Sequence, residues 1–330
     1  EIGTGDWSSD VCSSDLEKIA YQNVEIVEID SEHTEQRVDN FLISRLKGVP
    51  KSRVYRIIRK GEVRVNKKRV KQTYRLCEGD LLRIPPIRLS APNQPPKRSS
   101  VEWLEDAIIY EDDLVLAIDK PSGIAVHGGS GIQYGVIEGL RALRSEAVNY
   151  ELVHRLDRAT SGVLLVAKKR RALRFLHEAI REHRFEKSYL ALISGKLRRS
   201  QTVLAPLHKF TLSSGERVVK VDSAGKNAET IFTPKQNFAT TSLVDIKIVT
   251  GRTHQIRVHG AHIGHPVAGD DRYGEREFNR EMVKFGLKRL FLHAAELSFP
   301  HPGSNDIAEG EMVTVGALLP KQLLNVLDCL

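Results

Sequence analysis

A chain of 330 residues, 41% hydrophobic and 28% charged, is long enough to bury a large core and, on size, to form two domains. No run approaches the roughly 18 apolar residues a membrane-spanning helix needs, and Cys12, Cys77 and Cys329 are too scattered for a disulfide framework or a paired-cysteine zinc site, so a cytoplasmic protein with no membrane partner is expected. The net charge of +8 is uneven: residues 37–88 hold 16 Lys and Arg against 4 Asp and Glu, a local +12 that leaves −4 for the rest, as expected of a polyanion-binding module on a near-neutral body.

Residues 1–16, EIGTGDWSSDVCSSDL, are dominated by Ser and Asp without an apolar period and are read as an extraneous or disordered lead. Within residues 17–36, NVEIVEID alternates like a strand. Residues 37–86 then form a small unit. RVDNFLISRLKG sets Val38, Phe41, Leu42 and Leu46 on one helical face. SRVYRIIRKG repeats the design, with Ser52 as cap, Val54, Ile57 and Ile58 inward, Gly61 as stop, and Arg53, Arg56, Arg59 and Lys60 outward. EVRVNKKRV predicts a hairpin turning at Asn66 and Lys67, with Lys67, Lys68 and Arg69 as further RNA contacts, and GDLLRIP ends in a strand. Two short helices and a basic hairpin in this order resemble the small RNA-binding module named after the fourth small-subunit ribosomal protein.

Residues 87–103, rich in Pro and Ser, read as a semi-extended linker. From 104 to 330 the pattern is strand-rich. AIIYEDDLVLAIDKP predicts a hairpin; GVLLVAKK, KSYLALISG, AETIFTP and TSLVDIKIVTG predict strands; RRALRFLHEAIREH and THQIRVHGAHIG predict helices. This order predicts an α+β fold with a mixed, mainly antiparallel sheet.

The chemistry centres on ELVHRLDRATSG, where Asp157 stands between Arg155 and Arg158. One reading is a solvated ion pair; the other is a catalytic carboxylate kept charged by guanidinium neighbours. His254, His259, His262 and His265 cluster, yet no HExxH occurs, and HEAIREH has the wrong spacing, so structural or phosphate-contacting histidines are expected and no metal. KPSGIAVHGGSG matches neither phosphate-loop nor dinucleotide fingerprints.

In order, KPSGIAVHGGSG, HRLDRATSG, EKSYLALISG, GRTHQIRVH, HPVAGDDRYG and RLFLHAAELSFPHP together closely resemble the pseudouridine synthases of the ribosomal large-subunit family. With the N-terminal module and VIEGLRALR, the resemblance is to the C-type branch acting at several uridines of 23S ribosomal RNA. It implies that Asp157 is the catalytic aspartate, that Arg155 fills the space left by a flipped nucleotide, that Tyr189 is the active-site tyrosine and that Arg257 pairs with the aspartate. Lys120 and Pro121 would shape the pocket wall, with Leu292 also in the pocket; Arg158 would be scaffold or phosphate contact. The resemblance implies no cofactor, a 23S RNA partner met free or in early assembly particles, and a monomer. Attack of the aspartate at C6, attack at C1′ and a glycal route stay open. A non-catalytic RNA-binding or ribosome-assembly factor is the alternative from another class.

Overall fold

A computed structural model describes residues 24–46, 49, 51–87, 96–128, 132, 134–211, 217–304 and 307–330. The expected lead at 1–16 and most of the linker's first half, 88–95, lie outside the described residues. The chain divides into two compact units, Glu1–Gln94 and Pro95–Leu330.

In the first unit, strand β1 (Glu25–Glu28) is followed by helices α1 (Val38–Arg45) and α2 (Lys51–Lys60) and by strands β2 (Arg64–Val65), β3 (Lys68–Arg69) and β4 (Leu81–Ile84), with sheet order β1-β4-β2-β3. Val38, Phe41, Leu42, Val54, Ile57 and Ile58 meet Leu82 and Ile84 in one buried cluster, so the predicted apolar faces are the buried ones. Ser52 lies inside α2 rather than capping it, and Gly61 ends that helix at φ +73°. The hairpin turns at Asn66 and Lys67, with φ of +49° and +68°, the two left-handed positions that match the twist of paired strands. Asn66 offsets the cost of that backbone through its side chain, donating to Asp80 Oδ1 at 2.7 Å and accepting the Leu81 N–H at 2.9 Å.

The second unit runs through α3 (Trp103–Asp106), β5 (Ile108–Glu111), β6 (Val115–Lys120), α4 (Val136–Leu143), β7 (Glu151–Leu152), β8 (Ser161–Ala167), α5 (Arg170–Arg181), β9 (Glu186–Ser194), β10 (Gln201–Leu204), β11 (Leu207–Thr211), β12 (Arg217–Val221), β13 (Glu229–Asn237), β14 (Thr241–Ile248), α6 (Gln255–His262), α7 (Arg276–Lys284), β15 (Leu292–Pro302), β16 (Glu309–Gly316) and α8 (Lys321–Asp328). Its ten-stranded sheet has the order β10-β13-β14-β9-β15-β8-β6-β5, with β16 beside β15 and β7 beside β8; β11 and β12 form a separate hairpin. The pairing of β15 with β8 is parallel, and the other described pairings of this sheet are antiparallel. The fold is α+β.

Both faces of the central strands are buried, which explains their uninterrupted apolar runs. Leu116, Ile118, Leu164 and Val166 face α4, whereas Val115, Ala117, Val163 and Leu165 face α5 through Leu173 and Leu176. Gly162 lies so close to the Ala294 backbone that a Cβ would overlap it, and its φ of +108° favours glycine as well. This close contact brings β15 beside the start of β8, just after the segment that carries Asp157.

Candidate active site

Residues 153–160 join β7 to β8 and are tied to residues 120–124 behind them. Gly123 N–H donates to the Arg158 carbonyl and Arg158 Nε returns a bond to the Gly123 carbonyl, each at 2.8 Å. Ser122 Oγ donates to the Ala159 carbonyl at 2.7 Å. Lys120 is fully buried; its Nζ donates to the carbonyls of Pro121, Ile124 and Arg158 at 2.9, 3.0 and 3.3 Å. Burial and the Arg289 charge bring its pKa down to about 7. Within the segment, His154 Nε2 accepts the Leu165 N–H at 3.1 Å, and burial pushes the imidazole down to about 3, so it is a neutral anchor at ordinary pH. Arg155 is exposed and Leu156 is buried, while Asp157 faces an adjacent pocket of about 580 Å³.

The opposite side of that pocket is set by the start of α6. Gln255 is buried and pins it: Nε2 donates to the Glu229 carbonyl and to Thr230 Oγ1, and Oε1 accepts from Arg252 N and Thr250 Oγ1, all between 2.8 and 3.0 Å. His254 precedes it in left-handed backbone, φ +53°. Its Nε2 is 3.8 Å from Asp157 Oδ2, and its Nδ1 is 2.8 Å from the Tyr273 hydroxyl. Arg257 Nη1 is also 3.8 Å from Asp157 Oδ2. That is a Coulombic contact, too long for a hydrogen bond.

The expected pairing therefore takes a different form. The guanidinium of Arg257 makes its two short bonds with Asp270, Nε to Oδ2 and Nη2 to Oδ1 at 2.7 Å each, and lies 5.0 Å from the centre of the Tyr273 ring. Burial opposes the charge on both partners, but their mutual bonds outweigh it, raising Arg257 and lowering Asp270 from their ordinary values. Asp270 Oδ1 also accepts the N–H groups of Arg272 and Tyr273 at 3.0 Å each. With its best partner elsewhere, Arg257 presents positive charge to Asp157 without clamping it. Tyr189, on β9, is buried in the same pocket, and burial together with the Asp157 charge raises its phenol well above the ordinary range, so it is protonated.

Of the other residues expected in the pocket, Leu292 lines it and Lys120 and Pro121 do not. Lys120 is drawn inward by three carbonyls, and Pro121 is exposed. Arg158 is scaffold, through its bond to Gly123. Arg155, Arg181 and Arg252 surround the pocket with basic groups, and burial lowers the pKa of Lys187 within it. Asp270, Tyr273 and the role of His254 beside Asp157 were missed; their signal was the pair of motifs GRTHQIRVH and HPVAGDDRYG. The clustered histidines diverge. His259 is buried between Thr230 and the Ala205 carbonyl, and His265 bonds the Ser194 carbonyl. Among the described residues no group of three or more His, Cys, Asp or Glu is placed to hold a metal ion. In the first unit, Ser52, Arg53, Arg56, Arg59 and Lys60 line a cleft of about 440 Å³, and Lys67, Lys68 and Arg69 are exposed on the hairpin.

Residues 36–82 match the S4 domain, and residues 114–262 match the family described as RNA pseudouridylate synthase. "Ribosomal large subunit pseudouridine synthase C" of Salmonella typhi is 55% identical over 314 residues, covering 93% of this chain and 97% of that protein. The protein of the same name from Escherichia coli strain K12 is 57% identical over 291 residues, covering 86% and 91%. Among solved structures, human RNA Pseudouridylate Synthase Domain Containing 1 is similar with TM-score 0.54 and 26% identity, covering 65% of this chain and 83% of that one. Human RNA Pseudouridylate Synthase Domain Containing 4, at 22% identity and TM-score 0.57 over 70% of this chain and 95% of that one, shares the fold. Identity above one half over nearly the full length of both chains shows that this chain belongs to the RNA pseudouridylate synthase family.

Proposed function

We propose that this chain converts uridines of large-subunit ribosomal RNA to pseudouridine, with Asp157 as the nucleophile. The observation that carries the reading is the state of that carboxylate. Asp157 is 30% exposed and lines the pocket, and His254 Nε2 and Arg257 Nη1 each stop 3.8 Å from its Oδ2, so the two basic groups hold it electrostatically without a hydrogen bond to that oxygen. The relatives named for the large ribosomal subunit support the substrate, and the match to the S4 domain supports RNA as its class.

Isomerisation breaks the N1–C1′ bond, turns the uracil and forms C5–C1′; C5 gives up one proton and N1 gains one, so the atoms balance within the substrate. The carboxylate has to engage the nucleotide while water is kept from the detached base. Asp157 supplies the nucleophile, Arg257 stabilises its charge, and Tyr189, buried and protonated, packs against the base and can donate or relay a proton. Leu292 adds an apolar wall. A base inside a stacked helix must first leave it, and Arg155, exposed and carrying a planar guanidinium, is suited to filling the space.

Residues 37–86 serve to hold RNA by phosphate neutralisation through Arg53, Arg56, Arg59, Lys60, Lys67, Lys68 and Arg69, and residues 104–330 do the chemistry. A target uridine has to be reachable, which favours RNA that is free or in early assembly particles. The reading takes the active form to be a monomer. The test is pseudouridine mapping on 23S RNA treated with purified wild type or Asp157→Asn. Asparagine keeps the shape but not the nucleophile, so turnover should vanish while RNA binding persists. Pseudouridine above background from the pure variant would remove Asp157 from this role.

A further inference from the structure

The turn after Asp270 does more than close the Arg257 ion pair. Tyr273 packs against His254, with ring centres 5.5 Å apart, and its hydroxyl sits between two partners. Val219 N–H, on β12, donates to that oxygen at 3.2 Å, and His254 Nδ1 lies 2.8 Å away on the other bond. A phenol has one proton to give. With Val219 N–H already donating to the oxygen, and no other acceptor for the phenol proton among the described hydrogen bonds, the O–H points at Nδ1, which makes Nδ1 the acceptor and leaves the imidazole proton on Nε2. Nε2 is the nitrogen that faces Asp157 Oδ2 at 3.8 Å.

The groups around the ring agree with a neutral donor. Asp157 faces it from the segment before β8, Arg257 from α6, Asp270 and Arg272 from the turn before α7, and Lys187 and Tyr189 share the pocket from β9. Burial lowers the imidazole pKa, with Arg257 and Arg272 lowering it further against Asp157 and Asp270. The ring itself is 16% exposed and is held against Tyr273 by the Nδ1 bond and the edge contact.

We infer that His254 is a positioning residue for Asp157: Tyr273 fixes its tautomer and ring plane, so that Nε2–H is aimed at Oδ2 and, with Arg257, orients the carboxylate toward the substrate. This rests on the reading of Asp157 as nucleophile. It also gives the β11–β12 hairpin a link to the reacting group, because the Tyr273 hydroxyl is held by Val219 of that hairpin.

The test compares the purified full chain with His254→Gln, His254→Asn, Tyr273→Phe and Asp157→Asn. Single-turnover pseudouridine formation and RNA dissociation constants are measured on one 23S RNA transcript. A glutamine amide reaches the place of Nε2 and can donate there, whereas an asparagine amide reaches only the place of Nδ1. His254→Gln should stay within about threefold of wild type, while His254→Asn should lose about tenfold or more, the rate equivalent of one hydrogen bond to a charged group, made when the present 3.8 Å approach tightens in the substrate complex. RNA affinity should hold in both, and Tyr273→Phe should fall between them. In ¹⁵N spectra of the wild type, needing no variant to fold, His254 should show the Nε2-protonated tautomer. Equal losses for Gln and Asn, a loss confined to RNA affinity, or an Nδ1-protonated ring would each overturn the inference while leaving Asp157 in place. Activity in Asp157→Asn would remove both.

Discussion

Replacing Asp270 by Asn tests the electrostatic architecture most directly. The Asp270 side chain is fully buried and that of Arg257 is 11% exposed, so the pair is shielded from solvent. Asparagine keeps Oδ1 for the N–H groups of Arg272 and Tyr273, which preserves the turn, but removes the negative charge from two 2.7 Å bonds. Stripping one partner from a buried pair costs about 3–5 kcal/mol. At roughly 2–4 °C per kcal/mol for a unit of this size, the melting temperature should fall by on the order of 10 °C. With Asp157 as the proposed nucleophile, catalysis should suffer separately, because an Arg257 released from Asp270 is free to close on Asp157 from its present 3.8 Å and clamp its oxygen. Melting curves and single-turnover rates of Asp270→Asn and of Asp270→Asn with Arg257→Met separate the two effects. The double variant should recover part of the stability, since both charges are gone, but not the rate. Acid sharpens the test. The folded-state pKa of Asp270 is depressed, so its stabilisation is complete above the unfolded-state value of about 4 and is lost as pH falls through the lower folded-state value; the stability gap between wild type and Asp270→Asn should therefore shrink below about pH 4. A melting temperature within about 2 °C of wild type at neutral pH would refute the reasoning, because it would mean the buried pair contributes little net stability.

Replacing Arg56 and Arg59 together should weaken RNA binding across sequences and reduce the slope of log affinity against log salt by roughly 0.7–0.9 per lost phosphate contact; an unchanged slope would make that face merely solubilising. Arg155→Ala should slow turnover more on a stem-loop than on an unstructured oligonucleotide carrying the same uridine, since unstacking is costly only in the first. Equal losses on both would assign Arg155 to general binding. Gly162→Ala should destabilise the second unit by at least about 1–3 kcal/mol from its left-handed backbone, with more added by overlap with Ala294; denaturation showing wild-type stability would mean β8 and β15 can separate at little cost.

How much was legible follows the distance over which each feature is decided. Helix α2 and the hairpin after it were read because period, glycine stop and turn residues act within a few positions. β6 and β8 were read because burial on both faces leaves continuous apolar runs. β15 is eleven residues long and central, yet its sequence does not announce a strand: it carries Pro300 and Pro302, which normally mark edges, and a register shift between them absorbs the break. Helices α7 and α8 are short, and their apolar faces share one cluster, Phe278 and Met282 with Leu323 and Val326, so their burial depends on pairing across some forty residues.

The same rule separates what the motifs could and could not place at the site. Motifs named Asp157, Tyr189 and Arg257, and the fold does gather these three around one pocket. They could not name the short partner of Arg257, because GDDRYG offers two adjacent carboxylates, and only the packed turn decides that Asp270 enters the interior while Asp271 is exposed. Nor could they tell that the lysine in KPSG turns inward, since a lysine beside an apolar run reaches solvent unless carbonyls capture it, and here three do. Residue type says which charges are available near Asp157. The difference between 2.7 Å to Asp270 and 3.8 Å to Asp157 decides that Arg257 is tied down by one carboxylate and leaves the other unclamped, as the proposed role of Asp157 as nucleophile requires.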